Sequence, residues 1–216
     1  MPGEQDAYDA VPYPGYAYPD THPDRIAGMA RLHGLDPAPV ERCRVLEIGC
    51  GEGANLIPMA YAIPGSEFAG FDLAALPVAR GQRRIAELGL TNIRLFHADL
   101  MDTSRMDREA LGRFDYIVAH GVYAWVPEPV RDRLLAVCRE YLSPRGIAFI
   151  SYNALPGGHL RNMVREMMLH RVAAIEDPAQ CVSEGVEFLR FFAESRPEGE
   201  VFRQMLEKEI KQLQSK

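Results

Sequence analysis

The chain has 216 residues, 47% hydrophobic and 25% charged, with a formal net charge of −6 at pH 7. That length holds one sizeable core rather than two complete domains, and the acidic balance gives no general attraction to nucleic acid. No apolar run reaches membrane-spanning length and MPGEQDAYDA lacks the basic and apolar regions of a secretory leader, so the expected location is the cytoplasm.

Residues 1–23 read as an irregular arm rich in Tyr and Pro, in which proline removes backbone donors at several points. From Asp24 onward Ile26, Met29, Ala30 and Leu32 recur at helical spacing, behind Asp20 or Thr21 as cap. Short apolar runs then alternate with helical patterns. RVLEIGC leads to ANLIPMAYAI, EFAGFDL to LPVARGQRRIAELGL, NIRLFHADL to a connector near DREALG, and FDYIVAH to PVRDRLLAVCREYL, before GIAFISYN. This alternation predicts an α/β fold, a Rossmann-like doubly wound sheet of five parallel strands with right-handed crossovers. Beyond Asn153 the alternation stops, and 161–175, 179–195 and 201–213 read as helices, the last with Glu207 and Lys211 at i, i+4 spacing. The expected division is an arm (1–23), an α/β domain (24–153) and a C-terminal helical segment (154–216), with the last strands of the sheet absent.

In such a sheet the ligand sits outside the carboxyl ends of the strands, near the first strand-to-helix turn. Gly49, Gly51 and Gly53 make that turn in GxGxG spacing, where a dinucleotide fingerprint would read GxGxxG. Glu47 just before it suits an amino group better than a pyrophosphate, and exposed N–H groups of the turn would help hold the carboxylate of a bound amino acid. Asp72 ends the second strand, where an acid accepts from ribose hydroxyls. Asp99 ends the third, placed to accept from a purine amine while Leu100 N–H donates to the ring. Amino acid, ribose and adenine in that order describe S-adenosylmethionine. Cys50, Asn55, Leu73 and His120 complete the candidate cofactor set.

Through VLEIGCGEG, GFDL and HADL the sequence resembles the class I S-adenosylmethionine-dependent methyltransferases over roughly Val45 to Asn153. YPGYAYPDTHPDRIAGMARLHGLDP and AHGVYAWVPEPVRDRLLAVCREYLSPRGIAFISYN carry a closer similarity, to bacterial methyltransferases with a downstream regulatory domain. That group includes the rickettsial-type protein-lysine methyltransferases of outer-membrane proteins. The resemblance implies a Trp where Gly158 stands, and a longer chain with the last strands and a regulatory domain. A missing C-terminal domain, the C-terminal helices or a second copy of the chain would then cover the sheet edge beside GIAFISYN.

The acceptor side is expected at the fourth and fifth strand ends. His120, Tyr123, Tyr152 and Asn153 are the catalytic candidates, and Tyr16, Tyr18, Trp125 and His159 the substrate candidates. Tyr123 and Trp125 read either as an aromatic wall for a methylated amine or as a cap on the core. His120 reads as a cofactor contact or a proton-transfer group. The arm, with Tyr8, Tyr13, Tyr16 and Tyr18, reads as a lid or as a disordered tail. His22, His33, His97 and His170 lack ligand spacing, and Cys43, Cys50, Cys138 and Cys181 lack CxxC spacing, so no metal site and reduced thiols are expected. Arg80, Arg83 and Arg84 read as a solvated helix face rather than a phosphate site. No Asn-Pro-Pro-Tyr pattern follows the fourth strand, which argues against a nucleic-acid adenine methyltransferase.

The expected activity is methyl transfer from S-adenosylmethionine, with protein lysine as the acceptor that the resemblance implies. A small-molecule N- or O-methyltransferase, a non-catalytic binding module and an NAD-dependent oxidoreductase are the alternatives.

Overall fold

The computed structural model describes residues 15–102 and 111–214, so Tyr8, Tyr13 and most of the DREALG connector lie outside the described residues. Five parallel strands form one sheet in the order β3-β2-β1-β4-β5. They are β1 Arg44–Ile48, β2 Glu67–Asp72, β3 Ile93–His97, β4 Phe114–Ala119 and β5 Leu142–Ile150. Helices α1 Pro23–Leu32, α2 Leu56–Ala62, α3 Ala75–Glu87 and α4 Glu128–Tyr141 belong to the same unit, Gly15–Tyr152.

β1 lies at the centre because Val45, Leu46 and Ile48 are buried on both faces, the pattern of a strand covered by helices on each side. Side chains alternate between the two layers. Val45, Tyr116 and Val118 pack with Ile26 of α1, Leu56 of α2 and Val78 of α3. Leu46, Ile48, Ile117 and Ala119 pack with Leu134, Val137 and Tyr141 of α4. Glu47 therefore falls on Val45's face, in the layer of α1, α2 and α3. Strand order reverses between β1 and β4, which makes their carboxyl ends the switch point of the fold.

Two expectations for α1 change. Its N-cap is His22, whose Nδ1 accepts from Asp24 N at 3.3 Å. Asp20 and Thr21 sit one step earlier in a 3-10 turn, Pro19–Thr21, because Pro23 takes the first helical position. The helix buries Ile26, Ala27 and Ala30, while Met29 and Leu32 face solvent at 56% and 81% exposure. β5 starts directly after α4 at Leu142, earlier than GIAFISYN suggests, and forms one edge of the sheet.

The second unit, from Asn153 onward, contains α5 Gly158–Arg171, α6 Pro178–Glu194 and α7 Val201–Gln214. These helices close on Val164, Leu189, Ala193, Leu206 and Ile210. Asp177 caps α6 by accepting from Ala179 N at 3.2 Å. In α7 the ion pair formed by Glu207 is with Arg203, at 2.8 Å and i, i+4 spacing, one turn before the Lys211 expected from sequence. No helix among the described residues is long and apolar enough to cross a membrane.

Candidate functional site

The glycine turn between β1 and α2 is built by extending strand pairing past the end of β1. Gly49 N and Cys50 N both donate to Phe71 O, at 2.9 and 3.1 Å. Gly51 N donates to Asp72 Oδ2 at 2.8 Å, and Asp72 Oδ1 accepts from Ala74 N at 2.9 Å. The N–H groups of Gly49, Cys50 and Gly51 are thus engaged by β2 and do not stand exposed as donors. Asp72 is the brace of the turn, and each of its oxygens keeps a second lone pair. Gly51 has φ +53°, and a Cβ built on it meets nothing within 4 Å, so the turn faces open space there.

A second brace comes from α3. Glu52, in the turn, pairs with Arg80 at 3.3 Å and Arg84 at 3.4 Å, so these two arginines hold the turn as well as facing solvent. Gly81 lies between them on α3, and a Cβ there would run into Glu52 O and come within 2.5 Å of Leu95 Cδ1. Only a residue without a side chain lets α3 approach this closely.

Glu47 is 4% exposed. Its Oε1 accepts from Asn55 Nδ2 at 2.8 Å, and its Oε2 accepts no hydrogen bond among the described residues. Burial pushes its carboxyl up to about 8; the Asn55 hydrogen bond pulls the other way and the charge of Asp72 adds to the rise. When ionised, Glu47 presents Oε2 beside the glycine turn as an acceptor that a cationic group can satisfy.

Asn55 joins this carboxylate to the arm. Its Nδ2 also donates to Thr21 Oγ1 at 3.0 Å, and its Oδ1 accepts from Tyr18 N at 2.9 Å. Tyr18 in turn stacks on His120, with ring centroids 3.9 Å apart and planes at 30°. His120 follows β4, and Phe149 of β5 lies beyond it with centroids at 6.3 Å. Tyr16 meets Tyr18 edge-on at 6.4 Å. Gly121 N donates to Ser151 Oγ at 2.8 Å, which ties the loop after β4 to the end of β5.

The structure therefore brings Tyr18, Glu47, Asn55 and His120 together at the switch point, with Gly49, Cys50, Gly51 and Asp72 in the turn and Leu73 following Asp72. Asp99 follows β3 and accepts from Met101 N at 2.8 Å, and Leu100 is buried in the α4 layer. Tyr123 is half-buried, and Arg131 covers its ring at 5.7 Å, so that face is taken by a cation of the chain itself. Trp125 and Tyr152 are 48% and 67% exposed. Asn153 and His159 belong to the second unit. Sequence reading missed Thr21, a fully buried hydroxyl, along with Glu52 and Gly81. The i, i+4 spacing of Arg80 and Arg84 was the available sign of a shared acidic partner.

A methyltransferase-domain family model matches residues 46–148. An uncharacterized Rickettsia prowazekii protein is 38% identical over 189 residues, covering 88% of this chain and 74% of its own length. The structure of PKMT2 from Rickettsia typhi in complex with AdoHcy superposes with a TM-score of 0.76 and 35% identity. The chain belongs to the class I S-adenosylmethionine-dependent methyltransferases. This methyltransferase covers 39% of PKMT2, which covers 95% of it. A second uncharacterized R. prowazekii protein is 37% identical over 192 residues, which take in 89% of this chain and 34% of that protein. The chain thus spans little more than a third of the length of PKMT2 and of this second relative.

The family cofactor is S-adenosylmethionine, and the residues fit it on three counts. Glu47 offers a buried acceptor without a donor, Gly51 opens onto free space, and Asp72 retains acceptor capacity at the end of β2.

Proposed function

We propose that this methyltransferase transfers a methyl group from S-adenosylmethionine to the side-chain amine of a protein lysine. The observation that carries the cofactor site is Glu47 Oε2, buried and without a donor beside the glycine turn. Glu47 would hold the amino end of the methionine part, Asp72 the ribose hydroxyls, and Asp99 with Leu100 the adenine. When bound, the cofactor supplies a methyl group already activated on a sulfonium, so no side chain has to form a covalent intermediate. The chain's residues then align the nucleophile and keep water away. A lysine amine attacks only when neutral, and a desolvated pocket lowers its pKa from an ordinary value of about 10.4. Within the unit that holds the crevice, His120, Tyr123 and Tyr152 are the proposed groups at the acceptor, with Tyr16, Tyr18 and Trp125 as proposed substrate contacts.

Support for lysine comes from the resemblance to rickettsial-type protein-lysine methyltransferases and from the likeness to PKMT2. The test is transfer of labelled methyl from S-adenosylmethionine into bacterial lysate. Label is expected in protein, and blocking the lysine amines by prior acetylation is expected to abolish it. Label confined to small metabolites, or label that survives the blocking, would reject lysine.

A further inference from the structure

We propose that Asn55 is a positioning residue that ties the seating of arm residues Tyr18 to Thr21 to the grip of Glu47 on the cofactor's amino end, an inference that rests on the cofactor reading above. Both N–H groups of the amide are engaged within the chain, so it has no donor left for the cofactor itself. It is buried, its Nδ2 donates to Glu47 Oε1 and Thr21 Oγ1 at 2.8 and 3.0 Å, and its Oδ1 accepts from Tyr18 N at 2.9 Å. Its orientation is dictated by the arm, because the backbone N–H of Tyr18 only donates, which turns Oδ1 to Tyr18 and Nδ2 to Glu47. Thr21 Oγ1 donates on to Tyr18 O at 2.8 Å, which closes the circuit within the arm.

The same arm segment reaches both halves of the crevice. Gly15 lies so close to Ala54 that a Cβ on it would come within 2.6 Å of Ala54 Cβ, while the Tyr18 ring stacks on His120 beyond the switch point. Anything that fixes Glu47 therefore fixes the amide that receives the arm. Linkage requires the reverse as well: losing the arm contacts must weaken the ligand that Glu47 holds. The titratable groups around Glu47 are Asp72 at the end of β2 and Cys50 in the turn, with Tyr18 and His120 across the crevice.

The test is calorimetric titration of the full chain with S-adenosylhomocysteine across pH, for wild type, Asn55→Ala, Thr21→Val and the double variant, with hydrogen exchange read at Tyr18 to His22. Asn55→Ala is expected to weaken binding about tenfold, the scale of a lost hydrogen bond to a charged group. Its affinity should also reach half-maximum at higher pH, because the donor that holds the ionised carboxylate is gone. Thr21→Val should weaken binding less, and the double variant no more than Asn55→Ala alone. Ligand should slow exchange at Tyr18 in wild type and not in Asn55→Ala. Wild-type affinity in Asn55→Ala, or losses that multiply in the double variant, would overturn the coupling. Should Asn55→Ala not fold, wild-type affinity and wild-type arm exchange in Thr21→Val overturn it instead. A wild-type chain that binds no S-adenosylhomocysteine would overturn the cofactor reading itself.

Discussion

Ionising Glu47 without a cation beside it costs free energy, since the side chain is 4% exposed and one oxygen accepts no hydrogen bond among the described residues. Burial pushes this carboxyl up to about 8, so from the ordinary carboxylate range to that value the folded chain keeps a proton that the unfolded chain has lost. Stability of the ligand-free protein must then fall as pH rises through this window. Glu47→Gln removes the contribution. In thermal melts its Tm should gain on wild type as pH goes from 5 to 8; an equal pH dependence in the two proteins would show that Glu47 does not titrate there. The importance of Glu47 was legible from its place before GxGxG. Its partners were not: Asn55 read as a contact of the cofactor itself, and the Thr21 to which it bonds lies 34 positions earlier, where it read as a helix cap.

Among the elements, the glycine turn is only as rigid as β2 and α3 make it. Gly81→Ala places a methyl group against Glu52 O, which is backbone and cannot move aside, and against Leu95. Overpacking of this kind costs about 1–3 kcal/mol. Urea unfolding should show that loss, together with weaker S-adenosylhomocysteine binding; wild-type stability would mean that α3 does not press on the turn. All five strands were readable because each is a local apolar run bounded by helical patterns. The buried face of α1 was not. Helical spacing identifies apolar residues but not which of them reach the sheet, and here the small Ala27 and Ala30 pack inside while Met29 and Leu32 stay in solvent. The spacing of Arg80 and Arg84 hinted at a shared acid, but that it is Glu52 was hidden, because Glu52 lies 28 and 32 residues away on another element.

For the whole molecule, the strand order β3-β2-β1-β4-β5 sets the geometry of function, since it puts the reversal between β1 and β4. Glu47 and the glycine turn follow from β1, Asp72 from β2, and His120 from β4. These positions were foreseen from the order of motifs along the chain. The seating of the arm across the crevice was not, because a Tyr- and Pro-rich segment has no period to read. In the proposed function this crevice binds the family cofactor, with Asp72 both bracing the turn and receiving the ribose. Calorimetric titration of the 216-residue chain with S-adenosylhomocysteine, wild type beside Asp72→Ala, tests it most directly. Binding by wild type that is lost in a folded Asp72→Ala protein is the predicted result. No binding by wild type, or undiminished binding by the variant, would contradict it.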